Sequence, residues 1–250
     1  MKILSIGNSF SEDAQRYLHQ IAKSNGDNIY CANLYIGGCS LERHYNNIKE
    51  NKSDYDYQIN GEHTDEKISI KDALFREDWD YITVQQVSSF SGMIDTYYPY
   101  ITEVIKYVKE LRPKAEIVLH QTWSYENGSF HGDFPNYDCD SDKMYNELVK
   151  AYKEVADREK IKTIFPCGEI INKLRQTKTF DYQNGGVSLC RDTFHMDLIF
   201  GRYALSLTWY KVLTGKDATK PTYLPPFEDD SLDNIEKINI IKKTVEKHFE

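Results

Sequence analysis

Two hydrophobic rhythms alternate along the chain. "KILSIG" is a continuous apolar, β-branched run of the kind that forms a buried strand. "SEDAQRYLHQIAKSNG" then places Ala14, Leu18, Ile21 and Ala22 at helical spacing, with Gly26 as its C-cap. The exchange repeats: "NIYCANLYI" predicts a second strand, "GGCS" breaks the chain and "LERHYNNIKEN" predicts a helix. "DALFRED" predicts a short helix before the third core strand, "DYITVQQ". A helix with Tyr100, Ile101, Val104, Ile105, Val108 and Leu111 on one side leads to the fourth, "AEIVLHQ". Next come a helix opened by Ser141, a short fifth strand "KTIFP" and the helix "GEIINKLRQ". "DLIFGRYALSLTWYKVLTG" predicts a long apolar helix between an Asp197 N-cap and Gly215.

Three stretches stand outside this alternation. Residues 54–71 alternate apolar and polar around Asn60-Gly61, which predicts an inserted surface hairpin. Thr122 to Asp140 is polar, aromatic and Gly-rich, a long loop of the kind that often carries function. A tail with Pro221, Pro225 and Pro226 leads to a last helix near 235–249. No repeat and no linker divides the 250 residues, so one domain over 1–250 is expected. Strands alternating with helices predict an α/β chain, a three-layer α/β/α flavodoxin-like fold with a parallel sheet of about five strands. Sites in such sheets form at the carboxyl ends of the strands. The turns there are "GNSFS", "IGGCS", "QQVSSFSG" and "HQTWSYENG".

Composition narrows the partners. The net charge is −8, and lysines and arginines mostly alternate with acids along the helices, so no basic patch stands out. Neither nucleic-acid nor membrane-surface binding is expected. Cys31, Cys39, Cys139, Cys167 and Cys190 are odd in number and form no C-x-x-C pair. Free thiols in a reducing compartment are expected. No apolar run reaches the length of a membrane span, and the opening is too short for a signal peptide, so a cytoplasmic protein is expected. No His, Cys and carboxylate cluster has ligand spacing, so no metal or organic cofactor is expected. The sequence leaves the oligomeric state open.

Four signals point to chemistry. Ser9 follows the first strand and precedes a helix, where free N–H groups and the dipole favour a developing anion; a plain N-cap, a role that Ser11 also fits, reads the same way. Asp192 and His195 are three apart, a spacing that lets a carboxylate orient an imidazole for a serine, although a solvated pair would look alike. Gly38 ends the second strand, where a bare backbone can approach a ligand. Gln85 and Gln86 end a buried strand, where amides need partners. The other histidines, His19, His44, His63, His131 and His248 among them, read as incidental.

Taken in order, these blocks resemble those of the SGNH (GDSL-type) hydrolases: "GNSFS", "GGCSL" and "DTFH" stand where that superfamily carries its nucleophile, its glycine and its D-x-x-H. The closer resemblance is to a bacterial branch catalogued as a domain of unknown function. The stretches "SIGNSFS", "GGCSL", "WDYITVQQVS" and "TWYKVLTG" carry it over nearly the whole chain. The resemblance implies Ser9 as nucleophile, His195 as base, Asp192 as its orienter, and the Ser9 and Gly38 N–H groups as oxyanion donors. The superfamily's third block, "GxND", is replaced by "QQVSSFSG". Gln86 is therefore expected to stand in for the missing Asn, with Ser88 and Ser89 as rivals. Gln85, Ser88 and Trp123 are expected at the substrate. The implied activity is a serine esterase working through an acyl-enzyme, with an O-acetyl carbohydrate as the expected substrate. Trp123, Tyr125 and Phe130 would stack on its ring. The rival expectation is a non-catalytic carbohydrate binder on the same fold. Glu12 and Asp13 are expected to place negative charge near the site and to disfavour anionic substrates.

Overall fold

The computed structural model describes every residue except 228 and 230. Its centre is a seven-stranded sheet in the order β4-β3-β2-β1-β5-β6-β7. The strands are β1 (Lys2–Ile6), β2 (Tyr30–Tyr35), β3 (Tyr55–Ile59), β4 (Glu62–Ile68), β5 (Tyr81–Val84), β6 (Glu116–His120) and β7 (Thr163–Phe165). β2, β1, β5, β6 and β7 run parallel, in the strand order of a flavodoxin-like sheet. The expected count of about five holds for this parallel part only. The hairpin over 54–71 accounts for the difference. Its first strand, β3, pairs antiparallel with β2 and extends the sheet. Its Asn60-Gly61 turn carries positive φ at both residues, 52° and 81°, as a tight two-residue hairpin turn requires.

Alternation along each strand divides the core in two. Ile3, Cys31 and Val118 face one layer, built from α1 (Ser9–Gln15), α2 (Leu18–Ser24), α7 (Cys167–Arg175), α8 (Phe200–Thr214) and α9 (Leu232–His248). Leu4, Ala32, Ile117 and Leu119 face the other, built from α3 (Leu41–Glu50), α4 (Ile70–Arg76) and α5 (Tyr100–Leu111). α6 (Ser141–Glu159) straddles them, with Met144 and Leu148 in the first cluster and Tyr152 and Val155 in the second. α8 is apolar on all sides because it packs against α1, α2, α7 and α9 at once.

Three predicted boundaries shift. The first helix is broken into α1 and α2 at Arg16 and Tyr17, where the Tyr17 N–H donates to Ser206 Oγ. α8 starts at Phe200, yet Asp197 still caps it, since its carboxylate accepts from the N–H groups of Ile199, Phe200 and Gly201. The last helix starts at Leu232. β4 points Glu62, His63, Asp65, Glu66 and Lys67 largely outward, and β7 at the opposite edge is only three residues long. Among the described residues no helix is long and apolar enough to cross a membrane. All five cysteines are free thiols.

Candidate active site

The turn between β1 and α1 is fixed by reciprocal capping. Asn8 is the N-cap: its Oδ1 accepts from Phe10 N (2.9 Å), while Ser11 Oγ accepts from Asn8 N (3.0 Å). Ser9 is therefore the first helical residue rather than the cap, a position whose N–H has no partner within the helix. A Cβ at Gly7 would stand 2.1 Å from Ser11 Oγ, so only glycine lets the chain turn this tightly. Asn8 Nδ2 also donates to Cys39 O (3.1 Å), which ties the "GGCS" turn to the Asn8 cap. There Gly38 is exposed, takes a φ of +62°, and has an N–H without a hydrogen-bond partner among the described residues.

The third element is the turn over Asp192–His195. Asp192 Oδ1 accepts from His195 N (2.7 Å) and Phe194 N (3.3 Å), and its Oδ2 meets His195 Nδ1 at 2.7 Å. His195 Nε2 lies 2.9 Å from Ser9 Oγ. In the tautomer with Nδ1–H donating to Asp192, Nε2 accepts a hydrogen bond from the Ser9 hydroxyl. Burial alone would push the Asp192 carboxyl up, but the hydrogen bonds from the His195 ring and backbone outweigh it and hold it below the ordinary carboxylate range. Thr193, at the tip, has a φ of +73°, strained for a β-branched residue by about 1–3 kcal/mol. Glu126 N–H donates to its carbonyl and Ser129 receives its hydroxyl proton, which keeps the turn closed.

Other expected site residues stand elsewhere in the chemistry. Gln86 is corrected: its Nε2 donates to Thr96 O and Oγ1 (2.9 and 3.1 Å), and its Oε1 accepts from Leu41 N and Val87 N (3.0 and 2.9 Å). The amide nitrogen thus donates into the following loop and makes no hydrogen bond to Ser9 or His195. Gln85 is likewise structural, donating to Asn8 Oδ1 (2.8 Å) and facing His120 Nδ1 through its Oε1 (2.8 Å). Ser88 Oγ is tied to Tyr125 OH (2.8 Å), and Ser89 is buried. Trp123 and Tyr125 are also corrected, because both are sealed from solvent and cannot stack on a ligand. Trp123 stacks on Phe10 (4.1 Å) and donates its indole N–H to Phe194 O (2.7 Å), supporting the 192–195 turn from below. Phe130 is exposed.

The charge expectation fails for Asp13. Asp13 is fully buried against Arg202 (2.7 Å) and Arg191 (3.0 Å), so its charge is neutralised rather than presented to a ligand. Glu12 is held by Gln58 (2.9 Å) and His63 (2.8 Å). Sequence reading passed over His131, which packs 5.0 Å from Phe194 and 4.7 Å from Tyr125 beside the His195 turn. Burial pushes its imidazole below the usual range against the pull of Asp133. Among the described residues no group of three or more His, Cys, Asp or Glu is placed to hold a metal ion.

The family model for a domain of unknown function, DUF4886, matches residues 2–240. The crystal structure of a DUF4886 family protein from Bacteroides uniformis is similar over 100% of this chain and 94% of its own, with 36% identity and a TM-score of 0.89. A candidate SGNH hydrolase from Slackia heliotrinireducens is similar over 85% of this chain and 98% of its own, at 17% identity and a TM-score of 0.57. TesA is similar over 86% and 99%, at 13% identity and a TM-score of 0.53. At such identities the last two speak for the fold alone. No functionally curated protein matches the chain.

Proposed function

The chain belongs to the DUF4886 family, whose fold it shares with SGNH hydrolases, and on that premise we propose that it is a serine esterase. The observation that carries the proposal is the continuous contact Ser9 Oγ to His195 Nε2 to Asp192 Oδ2, at 2.9 and 2.7 Å. Ser9 attacks the ester carbonyl as His195 Nε2 takes its proton, and Asp192 steadies the imidazolium. The oxyanion is met by the Ser9 N–H at the head of α1 and by the Gly38 N–H. Collapse expels the alcohol, protonated by His195. Water, activated by the same imidazole, then releases the acid and restores Ser9.

The proposed substrate is an acetyl or other short-acyl ester of a hydroxyl-rich alcohol such as a carbohydrate. Ser9 is only 8% exposed, which favours a small acyl group. A cleft of about 270 Å³ opens two residues beyond Gly38, its lining including Ser40, Glu42, Gln86, Phe90, Asp95 and Tyr100. Aromatic faces beside hydroxyl and carboxylate acceptors suit a polyol ring. The direct test is p-nitrophenyl acetate hydrolysis with covalent labelling by a fluorophosphonate. Wild type should turn over and label at Ser9, and Ser9→Ala should do neither. Equal turnover by both proteins overturns the reading.

A further inference from the structure

Asp13 lies one helical turn after Ser9, so the two side chains share a face of α1. It is completely buried and is the point at which distant parts of the chain converge. Arg191 Nη1 donates to both of its oxygens (3.0 and 3.1 Å), Met196 N donates to Oδ2 (3.0 Å), and Arg202 Nε donates to Oδ1 (2.7 Å). Arg191 immediately precedes Asp192, and Met196 immediately follows His195. One carboxylate thus grips both ends of the turn that holds the Asp–His pair, from the helix that holds the serine. Arg191 closes the grip by also donating to Met196 O, and Arg191 N donates to His195 O (3.0 Å) across the neck of the turn.

We infer that Asp13 is a positioning residue that sets the Ser9-to-His195 register by clamping both ends of the 192–195 turn to α1. This rests on the esterase reading for its kinetic consequence, but the geometric claim stands apart from it. A buried carboxylate facing two guanidiniums is an expensive arrangement for stability alone, since well-packed apolar groups serve as well or better. A neutral asparagine keeps the shape and one acceptor but releases the cations. Displacement of a proton acceptor by about 1 Å costs roughly 10²-fold in rate.

The test compares wild type, Asp13→Asn, Asp13→Asn with Arg202→Met, and the remote core variant Val245→Ala as a control for lowered stability. Each is assayed with p-nitrophenyl acetate well below its own Tm. Asp13→Asn should lower kcat by roughly 10- to 100-fold with KM within a few-fold. Adding Arg202→Met should restore Tm, by removing an unpaired buried cation, without restoring kcat. Val245→Ala should lose Tm and keep kcat. A crystal structure of the Asp13→Asn variant should show Ser9 Oγ and His195 Nε2 moved out of hydrogen-bond reach. If wild type is active but Asp13→Asn keeps its kcat, or if that spacing is unchanged, the inference is overturned. If wild type neither turns over nor labels, the esterase reading fails, and the spacing alone decides the clamp.

Discussion

Ser9 and His195 are 186 residues apart in sequence and 2.9 Å apart in space, between Oγ and Nε2. Neither holds the other in place. Ser9 is set by the Asn8 cap, and His195 by the carboxylate of Asp192 on its far ring nitrogen. Asp192→Asn should leave Ser9 where it is but remove the charge that steadies the imidazolium. The expected loss in kcat is roughly 10³-fold or more, with KM little changed. Because its folded-state value is lowered, Asp192 adds stability above the unfolded value of about 3.9, and that contribution is lost as pH falls through the lower folded value. The kinetic effect of the substitution should therefore be present across neutral pH. A profile in which Asp192→Asn matches wild type at pH 7 would remove Asp192 from the mechanism.

The two glutamines should separate by kinetics. Gln86→Ala strands the N–H groups of Leu41 and Val87, so it should cost about 1–3 kcal/mol of stability. Its kcat on p-nitrophenyl acetate per folded molecule should stay within a few-fold of wild type. Gln85→Ala frees Asn8, the cap directly beneath Ser9, and should lower both stability and kcat, the latter roughly 10-fold. Urea midpoints measured alongside kcat check this. A large kinetic defect confined to Gln86→Ala would return that amide to the oxyanion.

Acid should destabilise the protein well above the carboxylate range. His44 and His120 are fully buried, and burial drives both imidazoles down to about 3. Each has an Nε2 that is buried without a partner among the described residues. The unfolded chain titrates near 6.5, so between about 3 and 6.5 it binds more protons than the folded state. Stability therefore rises with pH through that window and falls on acidification, by about 1.4 kcal/mol per pH unit for each histidine. His120→Gln should be less stable at pH 7.5 but should lose less on going to pH 4.5. An unchanged slope would show that His120 does not govern it.

The cleft beyond Gly38 predicts a split between substrates. If the cleft holds the alcohol, Phe90→Ala and Tyr100→Ala should raise KM for acetylated glycosides several-fold and leave p-nitrophenyl acetate turnover unaffected. Equal effects on both esters would mean that the cleft supports the fold rather than the alcohol.

The alternation of strands and helices was legible because each parallel strand is buried on both faces and so reads as a continuous apolar run. The break at Arg16 and Tyr17 was hidden, since α1 and α2 both pack on α8 and the apolar spacing runs through it. Ser9 was readable at the end of the first strand, and Asp192 and His195 as a D-x-x-H block ahead of the long apolar helix, and the fold brings the three into contact. Asp13 was not, because its partners lie 178 to 189 residues away and a helix-leading acid looks the same whether solvated or buried. Gln86 illustrates a second limit. Its position required partners, but only the path of the following loop decides between a ligand and backbone. Trp123 was misplaced for the same reason: sequence locates an aromatic residue in a loop without showing which side the loop turns inward.

The sheet's two ends also bear on how copies of this chain behave when crowded. An open sheet edge is a template for another strand, and the row of charges on β4 and the brevity of β7 deny it that use. The hairpin is what covers β2, whose "YCANLY" would otherwise be a long, mostly uncharged border. The hairpin that widens the sheet thus also closes its border. A chain trimmed of residues 54–71 would keep Ser9, Asp192 and His195 and still expose β2 as an edge open to strand pairing.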